Sequence, residues 1–307
     1  MNKNLLRRIL GALVTVIAVT FITFVALDTT GDAASALVAE SGSAAQLQAL
    51  RAQLGLDQPL IVRYAIFLAN LARGDLGRSL VSNKPVLDLL LERLPCTILL
   101  ALIASALAML LGMAIGIGAA VRAGTKTDTL LMSGAALGLA VPTFWSALVL
   151  MMIFSVRWRL LPLIGAENIQ SFVLPSITLA LPTAAAIARL MRSSMLDVLR
   201  SDYVRVAHAK GLMPQRVLTQ HVVHNSLLPV VTILGLNLGY LLGGAFIVET
   251  IFALPGLGRL IVQAIFDRDY PIVLGATLMI AVMYVVINFV VDVAHGWLDP
   301  QVAHEAI

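Results

Sequence analysis

The chain has 307 residues, 59% of them hydrophobic and 12% charged, with a net charge of +4 and one cysteine. An ordinary soluble domain carries about 25% charged residues, so this composition excludes one and points to a membrane-embedded protein. The lone Cys96 excludes an intramolecular disulfide and a cysteine-based metal site, and basic residues scattered over loops are no nucleic-acid signature.

Six apolar runs are long enough to cross a hydrocarbon layer of about 30 Å, which takes about 20 helical residues. They fall at Ile9–Leu27, Pro95–Val121, Thr129–Val156, Val173–Ala188, Leu227–Val248 and Ile272–Val291. Such unbroken runs fit helices and not the alternating strands of a barrel, so the expected fold is an all-α bundle of six transmembrane helices. The first run follows Lys3, Arg7 and Arg8, and Ala34-Ser35-Ala36 offers a small-residue cleavage site. The run exceeds the roughly 7–15 residues of a signal-peptide core, which favours an uncleaved span. With the N-terminus inside, eleven of the 21 basic residues fall on inner segments, giving a net charge of about +5 inside and −1 outside. Both termini are therefore expected in the cytoplasm.

The chain divides into residues 1–27, an outer segment 28–94 and a five-span core 95–307 that carries a polar inner loop at 193–226. The outer segment is too polar for lipid and too poor in core residues to fold alone, so it is expected to pack on the bundle. Within it, Ala44–Gly55 reads as a short helix ending at glycine, and the stretch from Val62 to Leu80 as an amphipathic segment suited to a membrane surface. "GDLG", Gly74–Gly77, marks a turn. Farther on, the proline and glycines of "LPGLGR", Leu254–Arg259, predict another tight one. Pro142, Pro175, Pro182 and Pro229, with glycines such as Gly112, Gly116, Gly138 and Gly235, interrupt the spans or line them with small residues.

No Asp, Glu, Lys, Arg or His lies inside the six runs; Arg189, Glu249 and Asp292 stand at their ends. Ion-coupled carriers place ionisable groups at mid-membrane, and none is found here. "AGTKTD", Ala123–Asp128, lacks the glycine and lysine spacing of a phosphate loop and reads as a short loop with a helix-capping threonine. No motif supplies a catalytic group, so catalytic and metal-ligating residues are expected to be absent and the energy to come from a partner.

The polar loop is the one inner segment large enough to meet such a partner. "SDYVRVAHAKG", Ser201–Gly211, predicts a helix capped by Ser201 or Asp202 and closed by Gly211. Val204, Ala207 and His208 share a face, a small ridge of the kind that enters a groove on another protein. "PQRVLTQHVVHN" restarts a helix at Pro214. On physical grounds alone the segment is either such a lever or a basic loop that fixes topology.

These residues resemble the permease subunits of binding-protein-dependent ABC importers, in the dipeptide, oligopeptide and nickel branch. That family carries a loop E-A-A-x-x-x-G followed by Leu-Pro. Here Arg205, Val206, Ala207 and Gly211 fall on E-A-A and G, and Leu228-Pro229 on the closing pair. Arg205 and Val206 depart from Glu-Ala in the manner of the peptide branch, whose usual form is "DYVRxAxAKG". "LGLDQPL", "GDLGRSL", "VPTFW", "RLMRSSMLDVL", "VETIFALPGLGRL", "DRDYP" and "DVAHGWLDP" extend the resemblance along nearly the whole chain, with departures in "TTGDAA" and at Gln301.

The resemblance implies a type I importer permease in the bacterial inner membrane. Its partners would be a second, related permease, two ATPases that carry ATP and magnesium, and an extracytoplasmic binding protein; the chain itself would bind no cofactor. Asp202, Tyr203, Arg205, Val206, Ala207, Lys210, Gly211 and Pro229 would couple to the ATPase. Gly74, Asp75, Leu76, Gly77, Pro255, Gly256, Gly258 and Arg259 would serve packing and binding-protein contact. The implied cargo is a short peptide, glutathione-like ones included, with nickel or a metal chelate as the alternative and a stand-alone carrier or channel as the rival.

Overall fold

A computed structural model describes residues 3–30, 44–53, 55 and 57–298. Expectations placed at Gly31–Ala36, at Gln301 and in the last residues of "DVAHGWLDP" lie outside them. The described residues contain helices and one isolated antiparallel bridge, Arg78 with Pro85, and no named strand. By contacts the chain forms two compact units, Met1–Thr97 with Pro255–Val285, and Ile98–Leu254 with Val286–Ile307.

In the first unit, α1 (Lys3–Thr30) is an apolar helix whose hydroxyls bond back onto its own carbonyls. Thr15 donates to Gly11 O at 2.9 Å and Thr23 to Val19 O at 2.9 Å, which satisfies these groups without water. After α2 (Ala44–Gln53), α3 (Leu60–Leu71) docks on α1 through Tyr64, whose hydroxyl donates to Ile17 O at 3.0 Å and whose ring packs on Phe21, Phe24 and Phe67. Arg63 pairs with Asp28 at 2.5 Å. Thus α3 buries Tyr64 against α1 and leaves Ile61, Val62 and Ile66 exposed.

Helix α4 (Val86–Val121) is longer than expected and begins nine residues before Pro95, which it contains. At 1.5 Å per residue its 36 residues extend about 54 Å, well beyond a hydrocarbon layer. The expected single span at Thr129–Val156 is instead two helices, α5 (Lys126–Ala140) and α6 (Thr143–Leu150, continued as a π-helical segment Met151–Arg157), bent by 102°. The cause is local: a residue before proline is pushed out of the helical region, and Val141 is extended at φ −80°, ψ 123°.

Helix α7 (Val173–Leu199) is the core of the second unit and runs eleven residues past the expected end of its span. The polar loop follows as α8 (Asp202–Ala209), a single turn α9 (Pro214–Arg216), a π-helical segment Val217–Val223 and α10 (His224–Gly244). Short helices α11 (Phe246–Ile251) and α12 (Leu257–Phe266) lead to the final span α13 (Tyr270–Leu298). Among the described residues five helices are long and apolar enough to cross a membrane, and the bent α5–α6 pair makes a sixth crossing if counted as one.

Small residues set the spacing around α7. A Cβ on Gly112 would lie 2.7 Å from Ala184 O and from the Ile187 side chain; one on Gly116 would lie 2.7 Å from Ala188 O. Backbone thus touches backbone where α4 crosses α7, as close packing in lipid requires. On α5, Ala135 packs with Ala185 and Ala188 of α7.

Candidate functional site

The polar loop folds as its local sequence dictates. Ser201 occupies the N-cap position of α8, but its hydroxyl donates backward to Val198 O at 2.6 Å instead of capping. The C-terminus closes as a Schellman motif: Gly211 N–H donates to His208 O at 2.9 Å and Leu212 N–H to Ala207 O at 3.3 Å. That geometry needs a left-handed residue after the cap, and Gly211 supplies it at φ +76°.

One expectation about this helix is corrected. Val204 and Ala207, read from the sequence as a ridge for another protein, are buried in their own chain. They belong to a core cluster with Met191 and Met195 of α7 and with Val217, Val222 and Val230 beyond the loop. Burying that face leaves the opposite one free: Tyr203 is 45% exposed and Val206 51%, beside Asp202, Arg205 and Lys210, which are also exposed. Arg205 and Asp202 approach to 3.3 Å, and Asn225 Nδ2 donates to the Tyr203 hydroxyl at 3.1 Å. Pro229 stands apart from α8, inside α10, where it leaves the Asn225 carbonyl without its helical donor.

The residues expected on the outer face separate into two kinds. Gly74 (φ +79°) and Gly77 (φ +80°) bracket a turn in which Asp75 Oδ1 accepts from Gly77 N–H at 2.8 Å, and Gly74 and Asp75 are exposed. Asp75, Leu76 and Gly77 line a cavity of about 530 Å³ together with Arg63, Asn70 and Tyr270. By contrast Gly256 and Gly258 are buried, and only Arg259 of that group is exposed. The predicted glycine turn is corrected here: Gly256 is extended at φ −101° and starts α12, while the left-handed residue is Ala253 at φ +51°. Thr97 Oγ1 accepts the Leu257 N–H at 2.8 Å and fixes that start.

Sequence reasoning missed three features. Asp269, buried at 2% exposure, accepts from Ser79 Oγ at 2.5 Å, Leu80 N–H at 3.1 Å and Val81 N–H at 3.4 Å, and so organises the loop after the "GDLG" turn. The second is an ion pair in which Arg192 Nε and Nη2 each donate at 2.7 Å to the two oxygens of Asp128. In the third, a cleft of about 430 Å³ in the second unit is lined by residues of α6, α7, α10 and α11, among them Thr143, Thr183, Asn237, Tyr240 and Val248, none of them charged at neutral pH. Asn237 Nδ2 donates to Thr183 Oγ1 across it. Nothing in one-dimensional spacing joins residues so far apart. Thr125 was legible: it caps α5 by accepting the Asp128 N–H at 3.4 Å. Among the described residues no group of three His, Cys, Asp or Glu is placed to hold a metal ion.

The described residues thus combine apolar helices long enough to cross a membrane, a bent helix pair, a cleft lined by uncharged residues and a short polar helix with one exposed face. Residues 112–304 match the family of binding-protein-dependent transport system inner membrane components, and residues 1–101 match the N-terminal segment of such components. The chain belongs to that family: it is an ABC importer permease, a multi-pass protein of the bacterial inner membrane that works with partner subunits. Among its relatives, the glutathione transport system permease protein GsiC of Escherichia coli (strain K12) is 38% identical over 306 residues, covering 99% of this chain and 100% of that protein. The protein of the same name from Salmonella typhimurium is 39% identical with the same coverage. In fold, a chain of the inward-facing MetNI methionine ABC transporter aligns with a TM-score of 0.59 at 16% identity, covering 69% of this chain and 97% of that one.

Proposed function

We propose that this chain is one half of the translocation pathway of an ATP-driven importer of short peptides, glutathione-like ones included. The observation that carries this reading is the 38–39% identity to glutathione permeases along 99% of the chain. The cleft at Thr143, Thr183, Asn237 and Tyr240 would be this subunit's share of the pathway, with uncharged hydrogen-bonding groups suited to peptide amides and carboxylates.

In this reading the chain is not itself an enzyme. Two ATPase subunits bind ATP and magnesium, and a second, related permease completes the pathway. An extracytoplasmic binding protein delivers the cargo, in part through Gly74–Gly77 and Arg259. Both termini and α8 face the cytoplasm, where Tyr203, Arg205, Val206 and Lys210 meet the ATPase. ATP binding favours one arrangement of the complex because the ATPases bind ATP more tightly in that arrangement than in the other.

Reconstitution of the chain with its co-encoded partners in proteoliposomes tests the reading. ATP-dependent uptake of labelled glutathione or dipeptide is expected. Uptake of nickel alone would overturn the peptide assignment, and uptake by the isolated chain without ATPase would overturn the importer itself.

A further inference from the structure

Helix α7 does not end with its close packing. Beyond Ala188 it continues as an arm to Leu199, and α8 starts three residues later. Met191 and Met195, both fully buried, join this arm to Val204, Ala207, Val217 and Val222, so the arm and the coupling helix form one packed body. Arg192, next to Met191, makes the forked contact with Asp128 in the first turn of α5.

Asp128 is more than a counter-ion. It is 4% exposed, its Oδ2 also accepts the Gly124 N–H at 2.9 Å, and its own N–H is held by Thr125. A forked arginine–carboxylate pair fixes direction as well as distance, unlike a single contact between flexible ends. From this point α5 leads to the break at Val141–Pro142, and Thr143, the first residue after it, lines the cleft.

We propose that Arg192 and Asp128 are positioning residues that lock the arm of α7 to the first turn of α5. Displacement of the coupling helix then turns the α5–α6 bend and reshapes the cleft, and is not absorbed by flexing of the arm. The inference rests on the importer reading for its ATP-driven step.

The test uses the whole complex in proteoliposomes, with Cys96 replaced by serine and spin labels at Leu130→Cys and Asp197→Cys, both exposed positions on α5 and on the arm. In the otherwise unsubstituted chain the label distance stays constant between the nucleotide-free and the ATP–vanadate-trapped states. In Asp128→Asn it shifts or broadens on trapping, and Arg192→Lys, which keeps the charge and loses the fork, lies between. Glutathione carried per ATP hydrolysed falls about fivefold or more in Asp128→Asn while hydrolysis persists. The proposal is overturned if the distance already responds to nucleotide without substitution, or if both variants keep a constant distance and an unchanged ratio. Should Asp128→Asn not assemble, the distance in Arg192→Lys decides. Absence of glutathione uptake by the parent complex would sink only the substrate reading, because the distance measurement needs no substrate.

Discussion

Around Asp269 a loop is held by what a side chain offers; around α7 two helices are held by what side chains omit. In the first unit the buried carboxylate collects Ser79, Leu80 and Val81, three donors from an irregular stretch that has no helix to satisfy it. In the second, Gly112 and Gly116 remove side chains so that α4 and α7 touch by backbone. Polar accounting therefore governs the irregular segment, and shape governs the helix crossing, where an unpaired polar group has no water to turn to. Each region should fail in its own way.

The largest stability effect is expected from Gly116→Val. Its side chain would start 2.7 Å from Ala188 O and from Met191, and overpacking of a rigid contact costs about 3 kcal/mol. Thermal unfolding of the detergent-purified chain should show it as loss of a folded species, and a Tm close to the parent's would break the shape half of the comparison. Asp269→Ala comes next at about 2–3 kcal/mol, since it strands a buried hydroxyl and two N–H groups at once. Limited proteolysis should then cut within 79–84 sooner, while Asp269→Asn, which keeps an acceptor, loses less. A cutting rate unchanged in Asp269→Ala would remove the polar half.

Smaller still in stability, and larger in function, is Gly211→Asp. A Cβ at this position would meet no heavy atom within 4 Å, so the cost is the left-handed backbone alone, about 1 kcal/mol. The complex should assemble yet lose stimulated ATP hydrolysis, whereas wild-type transport would remove the docking role of α8. Ala207→Arg also abolishes coupling, now with a packing cost because Ala207 is buried. The smallest effect is that of Tyr203→Phe, which removes one exposed hydrogen bond to Asn225 and should shift stability by no more than about 0.5 kcal/mol.

Much of this fold is legible from residue order. Apolar run length locates the crossings, because in lipid the backbone can satisfy itself only as helix or closed barrel. Gly211 announces the end of α8, and Thr125 the start of α5. Angles and partners are not legible in the same way. Pro142 signals an interruption, but not the 102° between the two helices it separates. Helix periodicity picks out Val204 and Ala207 as apolar neighbours without saying whether the apolar surface opposite belongs to this chain or to another. Asp128 and Arg192 read as ordinary loop charges until α7 is seen to run on past Ala188, and Asp269 reads as one of the two acids in "DRDYP".

The central claim is that the exposed face of α8 meets the ATPase, and cross-linking tests it most directly. Val206→Cys in a Cys96→Ser background, assembled with the co-encoded subunits, should cross-link to the ATPase with a yield that changes between nucleotide-free and ATP-bound states. An assembled, transport-active complex in which Val206→Cys reacts with soluble maleimide as in the isolated chain, and never joins the ATPase, would contradict it.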